Sequence, residues 1–405
     1  MNRAIIATAA LAMLAASSAY AEPITLEVWG IDAQTGSGTP GQTQIYADEW
    51  NATHDDVKVN YRFVAFDNLN SEYTRAIATG TGPDIFMINT TDTQLYASRG
   101  VLVDLTDRIA ASEIIDADEI FPGYLAAVTF DDRIWQVPRA SDTIALYYNI
   151  DKFREAGLDP DDPPQSWEEL YDYAKTLTNP EERVFGLAFS AKNNQEGPWQ
   201  FMPFARMAGT EFDNINADGG VRALEFWERL VEDGISSRDV VSFSQGDAAD
   251  TFRAGAAAMV IQGNWDLPNM DGLSFEYGLA LLPPEEEGGL RVSAAGNFTY
   301  AISEASEHPD EAFAFIEYAY SQQHRNWNEF GLLPPRPIPV EDARWPEAYA
   351  LFSEQLQFGR VLGPSPRWNE VSIALQRAIQ STLTGQTDAR EALDRAAAEI
   401  EALGH

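Results

Sequence analysis

Apolar and polar residues alternate through ITLEVWG from Ile24, and again through VKVNYRFVAF, where Val57, Val59, Tyr61 and Phe63 share a face; both stretches predict β-strands. A helix is predicted between them from Gly41 to about Thr53, and a short one after them around Ser71 to Thr79. The apolar run in GPDIFMIN, bounded by Gly-Pro and Asn, predicts a third strand. Strand and helix therefore take turns, which predicts a parallel α/β sheet with helices on both faces. In IWQVPRASDTIALYYN, Ile144, Leu146 and Tyr148 fall on one face and Ala145, Tyr147 and Asn149 on the other, the pattern of a buried strand. Yet Pro138, Arg139 and Asp142 place a stiff, charged corner at its mouth.

Beyond Asn149 the spacing changes but the alternation persists. SWEELYDYAKTL predicts a helix opened by Ser166 as N-cap, with Glu169 three residues on completing a capping box. VFGLAFS predicts a strand, VRALEFWERLVEDG a helix ending at Gly234, and AAAMVIQG another strand. HPDEAFAFIEYAYS and the run from Asp388 to Leu403 predict helices near the end of the chain. No internal repeat and no low-complexity linker interrupts them.

The first residues belong to neither pattern. Arg3, the apolar run Ala4 to Ala16, and Ala19 and Ala21 around Tyr20 predict an export signal over residues 1–21. That run is too short to span a bilayer. The chain has no cysteine, so it folds without disulfides and lacks a lipid-bearing thiol; a free protein of the periplasm is expected. With 27 Lys and Arg against 63 Asp and Glu, the net charge of −36 repels nucleic acid and anionic lipid, and neither is an expected partner. A chain of 405 residues with 45% hydrophobic content has the material for two cores.

Several motifs invite a chemical reading. The histidines His54, His308, His324 and His405 have no metal-ligand spacing, and no nucleophile motif is present. GSGTPG, Gly36 to Gly41, matches G-x-G-x-x-G but lies too far beyond the strand, and Pro40 occupies a position where an N–H would cradle phosphate. Asn214 to Glu225 has the spacing of a calcium loop but begins with Asn where a carboxylate is preferred, so it reads either as a cation loop or as a turn into the following helix. No cofactor and no metal is expected. Trp50, Trp167, Trp227 and Trp327 sit at helical core positions, whereas Trp29, Trp199 and Trp265 stand beside Gly, Pro or Asn, where a ring can line a cleft and stack on a sugar face.

These motifs also assemble into a family. TGPDIF, VPRASDTIALYYNIDKFREAGLDPDDPPQSWEEL, FRAGAAAMVIQGNWDL, GNFTYAISEASEHPDEAFAFIEY and GLLPPR follow one another in an order that resembles the family 1 extracellular solute-binding proteins, the periplasmic sugar receptors of ABC importers, over nearly the whole mature chain. The resemblance implies an α/β, two-lobe periplasmic binding protein fold whose hinge crossings flank a ligand cleft. It implies lobe 1 from residues 22–140 with 300–335, and lobe 2 from 141–299 with 336–405.

By similarity to maltose-binding protein, a family member, the acidic ligand contact falls on Asp142 and the aromatic ones on Trp199 and Trp265. Polar contacts fall near Asp32, Asn89, Thr91 and Asp92. Other members imply Gly296, Asn297 and Phe298, and a polar residue near Arg367. The final aromatic platform is not clearly reproduced, with Trp368 only nearby, so a maltodextrin ligand does not carry over. Arg139, Arg336 and Arg367 leave two readings open: hinge braces around a neutral sugar, or guanidinium contacts to an acidic one. The implied partners are a carbohydrate and the permease subunits of an ABC importer, with the receptor a monomer. The alternative from a different class is a secreted polysaccharide-degrading enzyme using a carboxylate pair.

Overall fold

The computed structural model describes residues 22–32, 40–296, 298–340, 342–363 and 365–404. The export signal at 1–21, most of GSGTPG, and Asn297 lie outside the described residues. The strands, in chain order, are β1 Ile24–Gly30, β2 Val57–Phe63, β3 Ile85–Asn89, β4 Thr129–Phe130, β5 Arg133–Ile134, β6 Val137–Pro138, β7 Asp142–Asn149, β8 Phe185–Ala188, β9 Ala257–Gly263, β10 Tyr277–Ala280, β11 Ser293–Gly296, β12 Phe298–Ile302 and β13 Gly359–Arg360.

Two sheets organise the molecule. The first runs β2-β1-β3-β12-β6; the second runs β13-β11-β7-β9-β8, with β10 also on β7. The expected parallel arrangement holds for β1 with β2 and β3, and for β8 with β9. Elsewhere the sheets are mixed, because β12 returns antiparallel to β3 and β6, and β7 runs antiparallel to β9, β10 and β11. Alternation along a strand specifies which face is buried but not the direction of its neighbour.

Each sheet has its own core. Leu26, Val28, Ile85, Met87, Tyr300 and Ile302 form the first with helices Gln42–Thr53 and Pro309–Ser321, whose Tyr46, Phe315 and Ile316 are buried. β7 feeds two clusters, as its alternation predicts: Ile144, Leu146 and Tyr148 join one that includes Trp167, Phe201 and Trp227. Ala145 and Tyr147 join another with Phe252, Leu267 and Phe352, which also holds Trp327. The second sheet is thus covered on both sides.

The predicted helices Trp167–Leu177, Asp218–Glu232 and Ala389–Ala402 are present. Ser166 caps the first by accepting from the Glu169 N–H at 3.2 Å. The reciprocal half of the expected capping box is displaced by one residue, since Glu169 accepts from the Gln165 N–H at 2.7 Å. Trp50, Trp167, Trp227 and Trp327 are all buried. Among the described residues, no helix is long and apolar enough to cross a membrane.

Candidate ligand-binding site

β1, β2 and β3 are parallel, so their carboxyl ends open on one side of the first sheet, the edge at which open α/β sheets place ligands. Phe66, Asp67, Leu69 and Asn70 follow β2 there, Asn89 and Asp92 follow β3, and Phe298 opens the antiparallel β12 beside them. Across from them stand Asn194 and Gln195, ahead of helix Glu196–Met207, and Asn369, Ile373 and Gln376 of helix Trp368–Leu383. The two sets enclose a cavity of about 360 Å³. Each set comes from elements packed on a different sheet.

The side chains within it have distinct tasks. Asn89 accepts from the N–H and hydroxyl of Thr91, at 3.1 and 3.0 Å, and so fixes the turn that delivers Asp92. Asp92 is 4% exposed, and its Oδ1 has no hydrogen-bond partner among the described residues. Burial pushes its carboxyl up to about 7. Phe298 meets Phe66 edge to face, with centroids 6.0 Å apart, giving the cavity an apolar wall. At the rim, Lys192 and Asn194 donate to the two oxygens of Asp67 at 2.7 and 2.8 Å, a bridge between elements of the two sheets. The Lys192 ammonium holds Asp67 below the usual carboxylate range.

Around the crossings between the sheets lies a second group. Arg139 pairs with Asp32 at 3.1 Å, with both side chains buried, and it also donates to Gln42. Asp32 in turn accepts from the Thr43 hydroxyl at 2.6 Å, and Asn326 donates to the Arg139 carbonyl at 2.8 Å. Arg139 is therefore tied to loop and helix ends of the first sheet. Asp142 accepts from Asn264 at 3.0 Å, and burial pushes its carboxyl up to about 7 against the pull of the Arg139 charge. The Tyr124 hydroxyl accepts from the N–H groups of Asp142 and Gly296, at 3.0 and 2.9 Å, and lies 3.2 and 3.1 Å from their carbonyl oxygens. It joins the two crossing strands where they pair.

Trp199 lies over Gly296: a β-carbon there would stand 2.9 Å from the Trp199 ring and 3.0 Å from the Thr90 hydroxyl. Trp265 packs in the same way on Gly263, which is the register partner of Ile144. Asp142, Trp199 and Gly296 thus form one contiguous group, and Asn89, Asp92 and Phe298 another on the cavity wall. Thr91 is buried in the turn between Asn89 and Asp92. Arg367 stands apart, bonded to Glu370 at 3.3 Å and to the Leu403 carbonyl at 2.9 Å near the end of the chain. Arg336 is bound to Glu119, with Tyr320 beneath its guanidinium.

Sequence reasoning missed Phe66, Asp67, Asn70, Asn194, Gln195, Asn369 and Gln376. The signal for those at 66–70 and 194–195 was the concentration of amides in FDNLN and KNNQEG directly after strand patterns, whereas Asn369 and Gln376 lie on the helix Trp368–Leu383 with no such signal. In the stretch Asn214 to Glu225, Asn216 donates to Asp394 at 2.8 Å and Asp218 pairs with Arg390 at 2.5 Å, so those side chains serve helix packing. Among the described residues, no group of three or more His, Asp or Glu converges on a point. A larger cavity of about 730 Å³ contacts Ala295, which points to the opposite face of β11 from Gly296; Tyr124, Pro339, Tyr349 and Leu356 also line it. Ser353, Gln357 and Arg360 add polar groups to its lining, most of which comes from the segment 337–361.

Comparison with known proteins supplies context for this geometry. The sequence profile of the bacterial extracellular solute-binding proteins matches residues 36–325. A galactooligosaccharide-binding protein of Bacillus subtilis is 24% identical over 332 residues, covering 78% of this chain and 76% of that relative. The sn-glycerol-3-phosphate-binding periplasmic protein of Escherichia coli is 26% identical over 293 residues, covering 68% and 64%. An ABC transporter solute-binding protein from Thermotoga lettingae, bound to α-D-tagatose, superposes with a TM-score of 0.83 at 22% identity, covering 94% of this chain and 99% of that one.

Proposed function

The chain belongs to the bacterial extracellular solute-binding proteins, and from that premise we propose that it is the periplasmic receptor of an ABC importer, capturing a carbohydrate by hinge closure and delivering it to the membrane permease. The observation that carries this reading is the cavity whose two walls come from elements of different sheets. A site completed only when two bodies meet couples binding to closure, because a ligand favours whichever conformation it contacts better. Carboxylate, amide and aromatic groups are the partners that hydroxyls and the less polar sugar faces require, and Asp92, Asn89, Gln195, Phe66 and Phe298 supply them. The relatives that take galactooligosaccharide and tagatose agree with this ligand class. A secreted polysaccharide-degrading enzyme has no support among the relatives.

In this reading lobe 1 combines residues 22–140 with 300–335, and lobe 2 combines 141–299 with 336–405. The first core's reach from Leu26 to Val137 and from Phe298 to Tyr320 supports this division, except that Phe298 packs with the first sheet and Trp327 with the second. Asp142, Trp199, Trp265, Gly296 and Asn297 serve the ligand at the crossings, with Asp32 and Arg139 holding the hinge behind them. The test is calorimetry with a sugar found by a thermal-shift screen: Asp142→Ala and Trp265→Ala each weaken binding at least tenfold while the fold survives. Unchanged affinity in both variants would remove these residues from the site.

A further inference from the structure

The charge class of the ligand can be argued further, on the footing of the carbohydrate-receptor reading. Relatives do not decide it, since one is named for a galactooligosaccharide and another for a phosphate ester. The cavity wall decides more. Its ionisable members among the described residues are Asp67 and Asp92, and it includes no Lys, Arg or His. Every other polar lining side chain is an amide.

Lys192 at the rim and the arginines singled out from the sequence each already have a carboxylate partner, although Nε of Arg139 and of Arg336 has no hydrogen-bond partner among the described residues. Arg139 is buried against Asp32 at 3.1 Å, Lys192 is on Asp67 at 2.7 Å, Arg336 is on Glu119, and Arg367 is turned to Glu370 and the Leu403 carbonyl. An anion entering this space would lose water and gain no guanidinium or ammonium in return.

Asp92 sharpens the argument. It is 4% exposed, it forms no ion pair among the described residues, and its Oδ1 has no hydrogen-bond partner. Buried polar atoms are almost always satisfied, and an acceptor left open on a cavity wall is satisfied by what enters the cavity. A carboxylate accepts from hydroxyl or ammonium donors; a second carboxylate or a phosphate offers it repulsion. At a separation of about 5 Å and an effective dielectric near 20, two like charges disfavour each other by roughly 100-fold in binding, a penalty expressed in full only well above the pH of about 7 to which burial pushes the Asp92 carboxyl.

We propose that this cleft selects by charge, taking uncharged or amine-bearing polyhydroxylated ligands and excluding carboxylated, sulfated and phosphorylated ones, with Asp92 as the residue that sets the selectivity. The neighbouring amides Asn89, Gln195, Asn369 and Gln376 read hydroxyl geometry, and Asp92 sets the sign.

The experiment uses charge-matched series on common scaffolds: galactose, galactosamine, galacturonate and galactose 6-phosphate, the corresponding gluco series, and galactooligosaccharides against oligogalacturonates. Thermal shift identifies hits on the full mature protein, and calorimetry measures them. At about pH 9, where the Asp92 carboxyl is ionised, neutral or amino members bind and their acidic counterparts bind about 100-fold more weakly or not at all, and the ratio shrinks as pH falls through about 7. In Asp92→Asn, an isosteric change, the preferred ligand loses about tenfold in affinity and the neutral-to-acid ratio contracts by at least tenfold, with the thermal melt confirming a folded variant. An acid or phosphate ester that binds the parent more tightly than its neutral counterpart overturns the charge inference and leaves the receptor reading standing. So does a neutral-to-acid ratio unchanged in Asp92→Asn. Silence across every series removes the receptor reading and this inference together.

Discussion

Asp92 and Asp142 both hold carboxyl groups that burial pushes up to about 7, and this gives each a measurable signature in the absence of ligand. An unfolded Asp releases its proton near 4, so between about 4 and 7 the folded chain keeps protons that the unfolded chain has lost. The associated stability is present below that window and disappears as pH rises through it. Asp92→Asn removes the titration, so the variant melts close to the parent near pH 4, draws ahead by pH 5 and lies several degrees above it at pH 8. A variant less stable than the parent at pH 8 would contradict an uncompensated buried carboxylate.

The same residues show what one dimension conveys. Asp92 and Asn89 were reached through resemblance, whereas the pairing of Arg139 with Asp32 spans 107 positions and left no local trace in the sequence. The structure shows what the Arg139 guanidinium meets at the mouth of β7, namely Asp32 and Gln42.

Elements with several turns or a long alternation were legible: β1, β2, β7, β9 and the helices Trp167–Leu177 and Asp218–Glu232 all follow their periodicity. β11, with sequence SAAG, and the two-residue β6 and β13 were not, because short strands of small or mixed residues owe their form to neighbours that sequence does not identify. The helix Pro122–Val128 illustrates how such neighbours are held. Its Tyr124 hydroxyl touches backbone groups of both Asp142 and Gly296, so Tyr124→Phe leaves buried donors and acceptors short of a partner. The expected loss is about 1–3 kcal/mol in urea unfolding, read as a lower midpoint at constant m-value. A loss below about 0.5 kcal/mol would mean that the hydroxyl is dispensable to the junction.

Across the whole molecule, the bridge from Asp67 to Lys192 and Asn194 is made between elements of the two sheets, so it contributes wherever the cleft is shut. Exposed pairs of this kind are worth about 0.2–1 kcal/mol. Lys192→Met is therefore expected to weaken ligand binding by about two- to fivefold at low ionic strength. Added salt should bring the parent down toward the variant while affecting the variant less. Equal salt dependence in both would show that the bridge has no part in closure.

The first sheet, finally, is completed late. Its fourth strand β12, residues Phe298–Ile302, inserts between β3 and β6, which end at Asn89 and Pro138. A ribosome adding about 5–20 residues each second needs roughly ten to forty seconds to travel from Asn89 to Phe298. Throughout that interval β3 keeps an open edge, and the inward side chains beside it have no roof. Topology thus sets an order: the edge of β3 is covered only after residues 298–302 have been made, so the first sheet cannot close before about three quarters of the chain is synthesised.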